Sequence, residues 1–401
     1  MPLQTFATEL SCLCGRTFPL HADVFLCPSC GRSLEIEYDY AKMKRAGFEA
    51  LRKRLLNHAR YMEFYPVKSI VSMQEGGTPL LKSRSIGPKL GLDLWFKMES
   101  ANPTGSFKDR GSSVEVARAL GYGAKNVVCA STGNMGASVA AYSAIAGLHC
   151  FIFVSKAATH IKMEQILAYG AKVFHIGSGY TGVMHLAERV AARRDFFLLG
   201  DYLWRREGTK SVGFEIMEQA KPDWIFTPAG NGTLASATWK ACREFKAVGL
   251  AKAAPKMAVV QAAGCSPLAK AWRTGRIEPQ HNARTVAQAI ECESPIDGER
   301  VLVAAKDSKG FVAAVTDAEI LRAREALAEH EGIFTEPSGA VALAGLLRNT
   351  DKATKGERIV CIVTGHGLKA PCTPVHKKPV ESGLKELDAA FARKGGRGAA
   401  V

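Results

Sequence analysis

A lysine becomes a nucleophile toward aldehydes where the fold makes its amine easy to deprotonate, and one segment offers such a place. It is the run Asn102-Pro103-Thr104-Gly105-Ser106-Phe107-Lys108-Asp109-Arg110-Gly111. The turn breaks into a helix expected to begin near Phe107, which puts Lys108 at the positive end of a helix dipole. A second run, Ala130 to Ser138, follows the strand-like Asn126–Cys129. It supplies backbone donors and the amide of Asn134, suited to a substrate carboxylate and a phenolic oxygen. The third, Thr227 to Ala235, again reads strand, glycine loop, helix. The amides of Gly230, Asn231, Gly232, Thr233 and Leu234 make a phosphate cradle, and the missing P-loop lysine argues against a nucleoside triphosphate. The fourth, Val363-Thr364-Gly365-His366-Gly367, ends the strand Ile359–Thr364 and offers a hydroxyl to a ring nitrogen. His366 itself reads as structural.

Taken singly, each segment is also an ordinary helix cap, a strand-end turn or a solvated lysine. Together they provide an amine for a Schiff base, a phosphate cradle, a partner for a ring nitrogen and an amide over the ring. Those are the requirements of pyridoxal 5'-phosphate.

With Gly76-Gly77-Thr78-Pro79-Leu80, Glu207-Gly208 and Lys210 added, the combination resembles the fold-type II pyridoxal-phosphate enzymes. Within them it is most similar to the threonine synthases with a cysteine-bearing N-terminus, from about Ser11 to Pro371. The resemblance implies a tryptophan synthase β-subunit-like α/β fold, two open lobes with a cleft between, in a homodimer. It implies that Lys108 forms the Schiff base and moves protons, that Asn134 bonds the ring oxygen and that Gly230–Leu234 hold the phosphate. Thr364 then faces the pyridine nitrogen; a neutral partner leaves that nitrogen largely unprotonated and favours elimination and replacement over transamination. Substrate contacts are expected from Ser131, Thr132, Gly133, Ser138, Arg205 and Lys210.

In that family O-phospho-L-homoserine and water become L-threonine and phosphate, which requires a second anion site. Here the chain departs from the family. Asn134-Met135-Gly136-Ala137-Ser138 replaces the usual Asn-Thr-Ser-Ala-Ser, and Leu199-Gly200-Asp201-Tyr202-Leu203-Trp204-Arg205 lacks the usual Asn-Ser pair and Asn-Pro step. Arg205 aligns with the family's arginine, whose fork suits tetrahedral oxyanions. The alternatives are a cysteate-synthase-like joining of O-phosphoserine to sulfite, a serine or threonine dehydratase, and, from another class, a non-catalytic nucleic-acid-binding protein.

Cys12-x-Cys14 and Cys27-Pro28-Ser29-Cys30-Gly31 resemble a zinc ribbon whose first knuckle is one residue short. Two readings stay open, a structural zinc on these four thiols and a metal-free remnant. The other seven of eleven cysteines are scattered, as reduced thiols in a cytoplasmic protein would be.

The elements that must position these residues alternate. Short apolar runs (Asn126–Cys129, Cys150–Val154, Ala171–Ile176, Trp224–Thr227, Met257–Gln261) are interleaved with amphipathic stretches, the pattern of crossover-connected α/β sheets. The expected organisation is a cysteine module to residue 40, a large cofactor lobe from 41–99 and 190–375, a small mobile lobe from 100–189 and a basic tail from 376–401. The module reads as an appendage joined through a helical connector, Tyr40–Tyr61. No apolar run is long enough to span a bilayer. The +15 formal charge is spread along the chain, which suits anionic small molecules better than nucleic acid.

Overall fold

Apolar, β-branched runs bounded by glycine and proline form strands that are stable in parallel sheets only when both faces are covered. The computed structural model describes residues 5–22, 24–131, 133–155, 160–177, 180–192 and 196–370. Strands β1 (Ala7–Cys12), β2 (Thr17–Pro19) and β3 (Leu34–Tyr38) make a small antiparallel sheet in the order β2-β1-β3. The next strands are β4 (Leu80–Lys82), β5 (Asp93–Met98), β6 (Asn126–Ala130), β7 (His149–Ser155), β8 (Lys172–Ile176) and β9 (Phe196–Leu199). They are followed by β10 (Trp224–Pro228), β11 (Lys256–Ala262), β12 (Phe311–Val315) and β13 (Arg358–Val363).

Six strands pair in the order β12-β11-β10-β13-β5-β4, parallel except for the antiparallel edge strand β4. Four pair in parallel as β8-β7-β6-β9. In each sheet the chain steps outward on one side and then returns to the other, so the order reverses beside β10 and β13 in one and beside β6 and β9 in the other. The crevice beyond the carboxyl ends at such a reversal is where open α/β sheets bind ligands.

Three expectations need correction. Because β9 pairs with β6, the small sheet runs to Leu199, past the boundary set at 189. The N-terminal module is not a separate appendage, since Leu34, Ile36 and Tyr38 share one buried core with Tyr61, Phe64 and Phe214. The connector is not one helix: Gly47, at φ 73°, stops the helix Tyr40–Ala46, and a second helix, Glu49–Lys53, leads to the 3-10 turn His58–Phe64. The basic tail from 376 lies outside the described residues.

Candidate active site

The strand ends at the two reversals open into one cavity of about 700 Å³. Lys108, Ser131, Gly133, Asn134, the whole Gly230–Leu234 loop and Thr364 all line it. Thr132 lies outside the described residues.

Lys108 is the first residue of the helix Lys108–Gly121. The preceding turn is held from two sides. The Asp109 carboxylate accepts from the Thr104 backbone N–H (2.7 Å) and hydroxyl (2.6 Å), and burial pushes its pKa up to about 6 despite those bonds. The end of β13 supplies the other side, where the Phe107 N–H donates to the Thr364 carbonyl (3.1 Å) and Ser106 bridges Gly365. Thr364 and Lys108 are therefore fixed relative to each other by backbone bonds. From this frame the Lys108 ammonium Nζ reaches the Asp201 carboxylate, 3.0 and 3.3 Å from its two oxygens.

Asp201 follows the end of β9 and was not among the residues expected in the site. Burial alone would raise its pKa. The charges of Lys108 and Arg205, with the hydrogen bond from Lys108, outweigh burial and hold it below the usual carboxylate range. Since Asp201 meets Lys108 and lines the same cavity as Gly230–Leu234, the amine and the glycine loop belong to one cleft.

The loop is shaped by what a side chain would strike. A Cβ on Gly230 would sit 2.8 Å from the Ile290 Cα, and Gly232 adopts φ +98°, a conformation L side chains rarely take. The Asn231 side-chain oxygen accepts from the Ile296 N–H (2.5 Å), bracing the loop against the segment that covers it. The helix Thr233–Ala247 starts directly after Gly232, and the Thr233 hydroxyl is buried with no partner among the described residues. An unpaired buried hydroxyl beside a helix N-terminus is a cost to the protein unless a ligand completes it.

On the small-sheet side, Asn134 donates through Nδ2 to Glu336 (2.6 Å), which also faces Lys162 at 3.4 Å, while the Asn134 Oδ1 has no partner among the described residues. The second hydrogen on Nδ2 remains to be donated. The Ser131 hydroxyl accepts from the Gly133 and Gly136 N–H groups at 3.3 and 3.1 Å. Gly136 has a packing reason to lack a side chain, because a Cβ there would lie 2.6 Å from the Ser131 carbonyl oxygen. His366 is structural, its Nδ1 accepting from the Leu368 N–H at 3.2 Å.

Three expected substrate contacts do not reach the cavity, and the reason is the same for each. Ser138 is buried and donates to Ser112 (2.7 Å). Arg205 is fully buried, bound to Glu115, to the Ser112 hydroxyl (3.0 Å) and to the Lys108 carbonyl (3.0 Å). Lys210 is fully buried between Glu207 (2.6 Å) and Glu244 (3.0 Å), 4.2 Å from the centre of the Tyr38 ring. Glu207 also accepts from the Tyr38 hydroxyl (2.6 Å) and from Lys240 (2.5 Å). The Glu207-Gly208-x-Lys210 motif is thus a joint between the cysteine module and the body. Gly208 lets the same helix pack tightly on the lysine helix, since a Cβ there would lie 2.1 Å from the Arg110 carbonyl oxygen. The residues sequence reasoning missed are Asp201, Lys162 and Glu336, together with the 284–292 segment on the cavity wall. The signal for Asp201 was its place just past the end of a parallel strand.

Away from the cavity, the Cys12 and Cys30 sulfurs are 3.5 Å apart, those of Cys14 and Cys27 are 3.8 Å apart, and all four lie within 4.8 Å of one another. Four thiolates at about 2.3 Å from a tetrahedral zinc are spaced by about 3.8 Å, so this group fits one.

A family model described as pyridoxal-phosphate dependent enzyme matches residues 71–365, which include the lysine turn, the glycine loop and Thr364. The chain belongs to this family. Among relatives of this pyridoxal-phosphate dependent enzyme is the threonine synthase of Methanocaldococcus jannaschii, 41% identical over 89% of this chain and 92% of the relative. The threonine synthase of Methanosarcina acetivorans is 38% identical over 92% and 93%. Among solved structures, maize serine racemase superposes with a TM-score of 0.65 at 24% identity, over 79% of this chain and 92% of that one. The processed form of threonine deaminase isoform 2 from Solanum lycopersicum gives 0.63 at 21%, over 79% and 88%. At such identities these establish the fold, which is fold-type II. Among the described residues no helix is long and apolar enough to cross a membrane.

The observed site fits the cofactor of the family. Lys108 would hold it through its amine, and the Gly230–Leu234 amides with the unpaired Thr233 hydroxyl would take its phosphate. When bound, pyridoxal phosphate supplies an electron sink for charge developing at the substrate's α-carbon.

Proposed function

We propose that this chain is a threonine synthase, taking O-phospho-L-homoserine and water to L-threonine and phosphate. The observation that carries the reading is the convergence of Lys108, the Gly230–Leu234 loop and Thr364 on one cavity, in a chain whose near-full-length relatives bear that name. Lys108 holds the cofactor and, once released, moves protons at the substrate carbons. Asn134 bonds the ring oxygen, Thr364 the ring nitrogen, and Ser131 and Gly133 the substrate carboxylate. With Arg205 and Lys210 committed elsewhere, the substrate phosphate falls to Lys162 and Arg284, the other cations in the cavity wall among the described residues.

The same reading includes a structural zinc on Cys12, Cys14, Cys27 and Cys30, a homodimer and a cytoplasmic address. The zinc rests on the sulfur spacing, the dimer on family resemblance and the address on the scattered thiols.

The test is to offer the purified holoenzyme phosphohomoserine, then phosphoserine with and without sulfite, following phosphate release and the amino-acid product. Threonine and phosphate in equal amounts from phosphohomoserine are expected. The loss of two hydroxyls at Met135 and Gly136 makes sulfite-dependent turnover of phosphoserine the rival result, and it would replace the threonine assignment.

A further inference from the structure

The Lys108 partner adds something the family resemblance does not carry. Asp201 stands two residues past the end of β9, its side chain 10% exposed, with Lys108, 15% exposed, across the cavity wall at 3.0 Å. No comparable acid was expected from the sequence, where this stretch only departs from the family. We propose that Asp201 is the positioning residue for Lys108: its carboxylate aims the lysine nitrogen into the cavity and, once that nitrogen is linked to the cofactor, holds a positive charge on it. This rests on the reading of the cavity as a pyridoxal-phosphate site.

The surroundings make the carboxylate the dominant partner. The Phe107 ring centre lies 5.0 Å from the Lys108 Nζ and adds a weaker attraction for a cation. Arg205, on the helix Leu203–Thr209, acts on Asp201 from behind and shares its own charge with Glu115 of the lysine helix. Cys129 of β6, Cys292 of the covering segment and Tyr202 also feel the Asp201 charge, and burial, the main influence on each, pushes their pKa values up and keeps them neutral. On the far wall Lys162 is matched by Glu336.

An opposite charge this close favours the charged form of its partner by about one to three pKa units. On the lysine–cofactor link such a charge holds the proton in place, which has a spectroscopic consequence. A protonated lysine–cofactor link and a neutral one absorb at different wavelengths, so the midpoint of conversion can be read in the holoenzyme without turnover. Titration of the wild type and Asp201→Asn from pH 6 upward should show the protonated form lost at a pH lower by at least about one unit in the variant, with Asp201→Glu closer to the wild type. Superimposable titrations in a variant that folds and binds cofactor overturn the proposal. Should Asp201→Asn fail to fold, Asp201→Ser gives the same comparison. Should neither fold, the wild type decides: retention of the protonated form at least about one unit above a lysine–cofactor adduct free in the same buffer supports the proposal, and coincidence of the two overturns it. Absence of any visible band when the wild type is mixed with pyridoxal phosphate is a separate outcome, because it removes the cofactor reading before Asp201 is tested.

Discussion

Arg205 donates to the backbone carbonyl of Lys108 at 3.0 Å while its second terminal nitrogen binds Glu115, further along the same helix as the lysine. The arginine therefore holds the lysine helix from behind and leaves the cavity wall to others. Removing one member of a buried charge pair strands the other, at a cost of about 3–5 kcal/mol when the charge stays in place. Burial already lifts the Glu115 pKa to about 7, so the acid left behind can take up a proton, and Arg205→Met should lower the urea unfolding free energy by less than that. If instead stability is unchanged and only the KM for a phosphorylated substrate rises, Arg205 is a substrate ligand after all.

Gly230 faces backbone, and backbone cannot step aside as a flexible side chain can. Its added Cβ would meet the Ile290 Cα at 2.8 Å and carbonyl oxygen at 3.0 Å, forcing the loop off its cradle geometry. Gly230→Ala is expected to weaken cofactor binding at least tenfold, about 1.4 kcal/mol, read by titrating the apoenzyme with pyridoxal phosphate. Wild-type affinity in the variant would show that the phosphate sits elsewhere.

His58 gives the fold a pH signature. Its ring is fully buried, stacks on Tyr65 at 4.8 Å and bonds Ser211 at 2.8 Å, and burial, aided by the Arg110 charge and opposed by Glu75, pushes its pKa down to about 4. An unfolded histidine titrates near about 6.5, so between pH ~6.5 and ~4 the unfolded chain takes up a proton that the folded one refuses. The contribution is complete above pH ~6.5 and is lost as pH falls through that window, up to about 3 kcal/mol. Unfolding free energies at pH 7.5 and 5 should differ less in His58→Gln than in the wild type. Equal differences in the two proteins remove His58 from the account.

The sulfur cluster predicts one zinc per chain by metal analysis of protein purified without chelator, and loss of that zinc in Cys27→Ser together with a lower unfolding midpoint. A metal-free wild type that unfolds identically before and after added zinc supports the remnant reading.

The parallel sheets and the meeting of the lysine turn, the glycine loop and Thr364 at one cavity were legible in the sequence because their signals are local. A glycine loop after an apolar run announces a strand end, and such ends carried Asn134, Gly230 and Thr364 to one place, where the turn bearing Lys108 is bonded to the last of them. The substrate half was not legible, because it depends on burial. Arg205 and Lys210 read as substrate contacts until Glu207 and two acids carried on other helices, Glu115 and Glu244, turn out to enclose them. Nor does Phe311–Val315 read plainly as a strand, since two alanines near its centre flatten the apolar signal. Asp201 was visible as a letter, but only the pairing of β9 with β6 brings it opposite Lys108.

The joint at Glu207 has a consequence for anyone shortening the chain. Tyr38 gives that carboxylate a proton donor, and the Ile36 carbonyl accepts from the buried Lys240 ammonium at 2.5 Å. Trimming the first forty residues would open Lys210 and Lys240 to water by removing the Tyr38 ring that lies 4.2 and 5.1 Å from their ammonium groups. The cysteine module is better regarded as a keystone than as a removable tag, and a minimal catalytic fragment has to retain it.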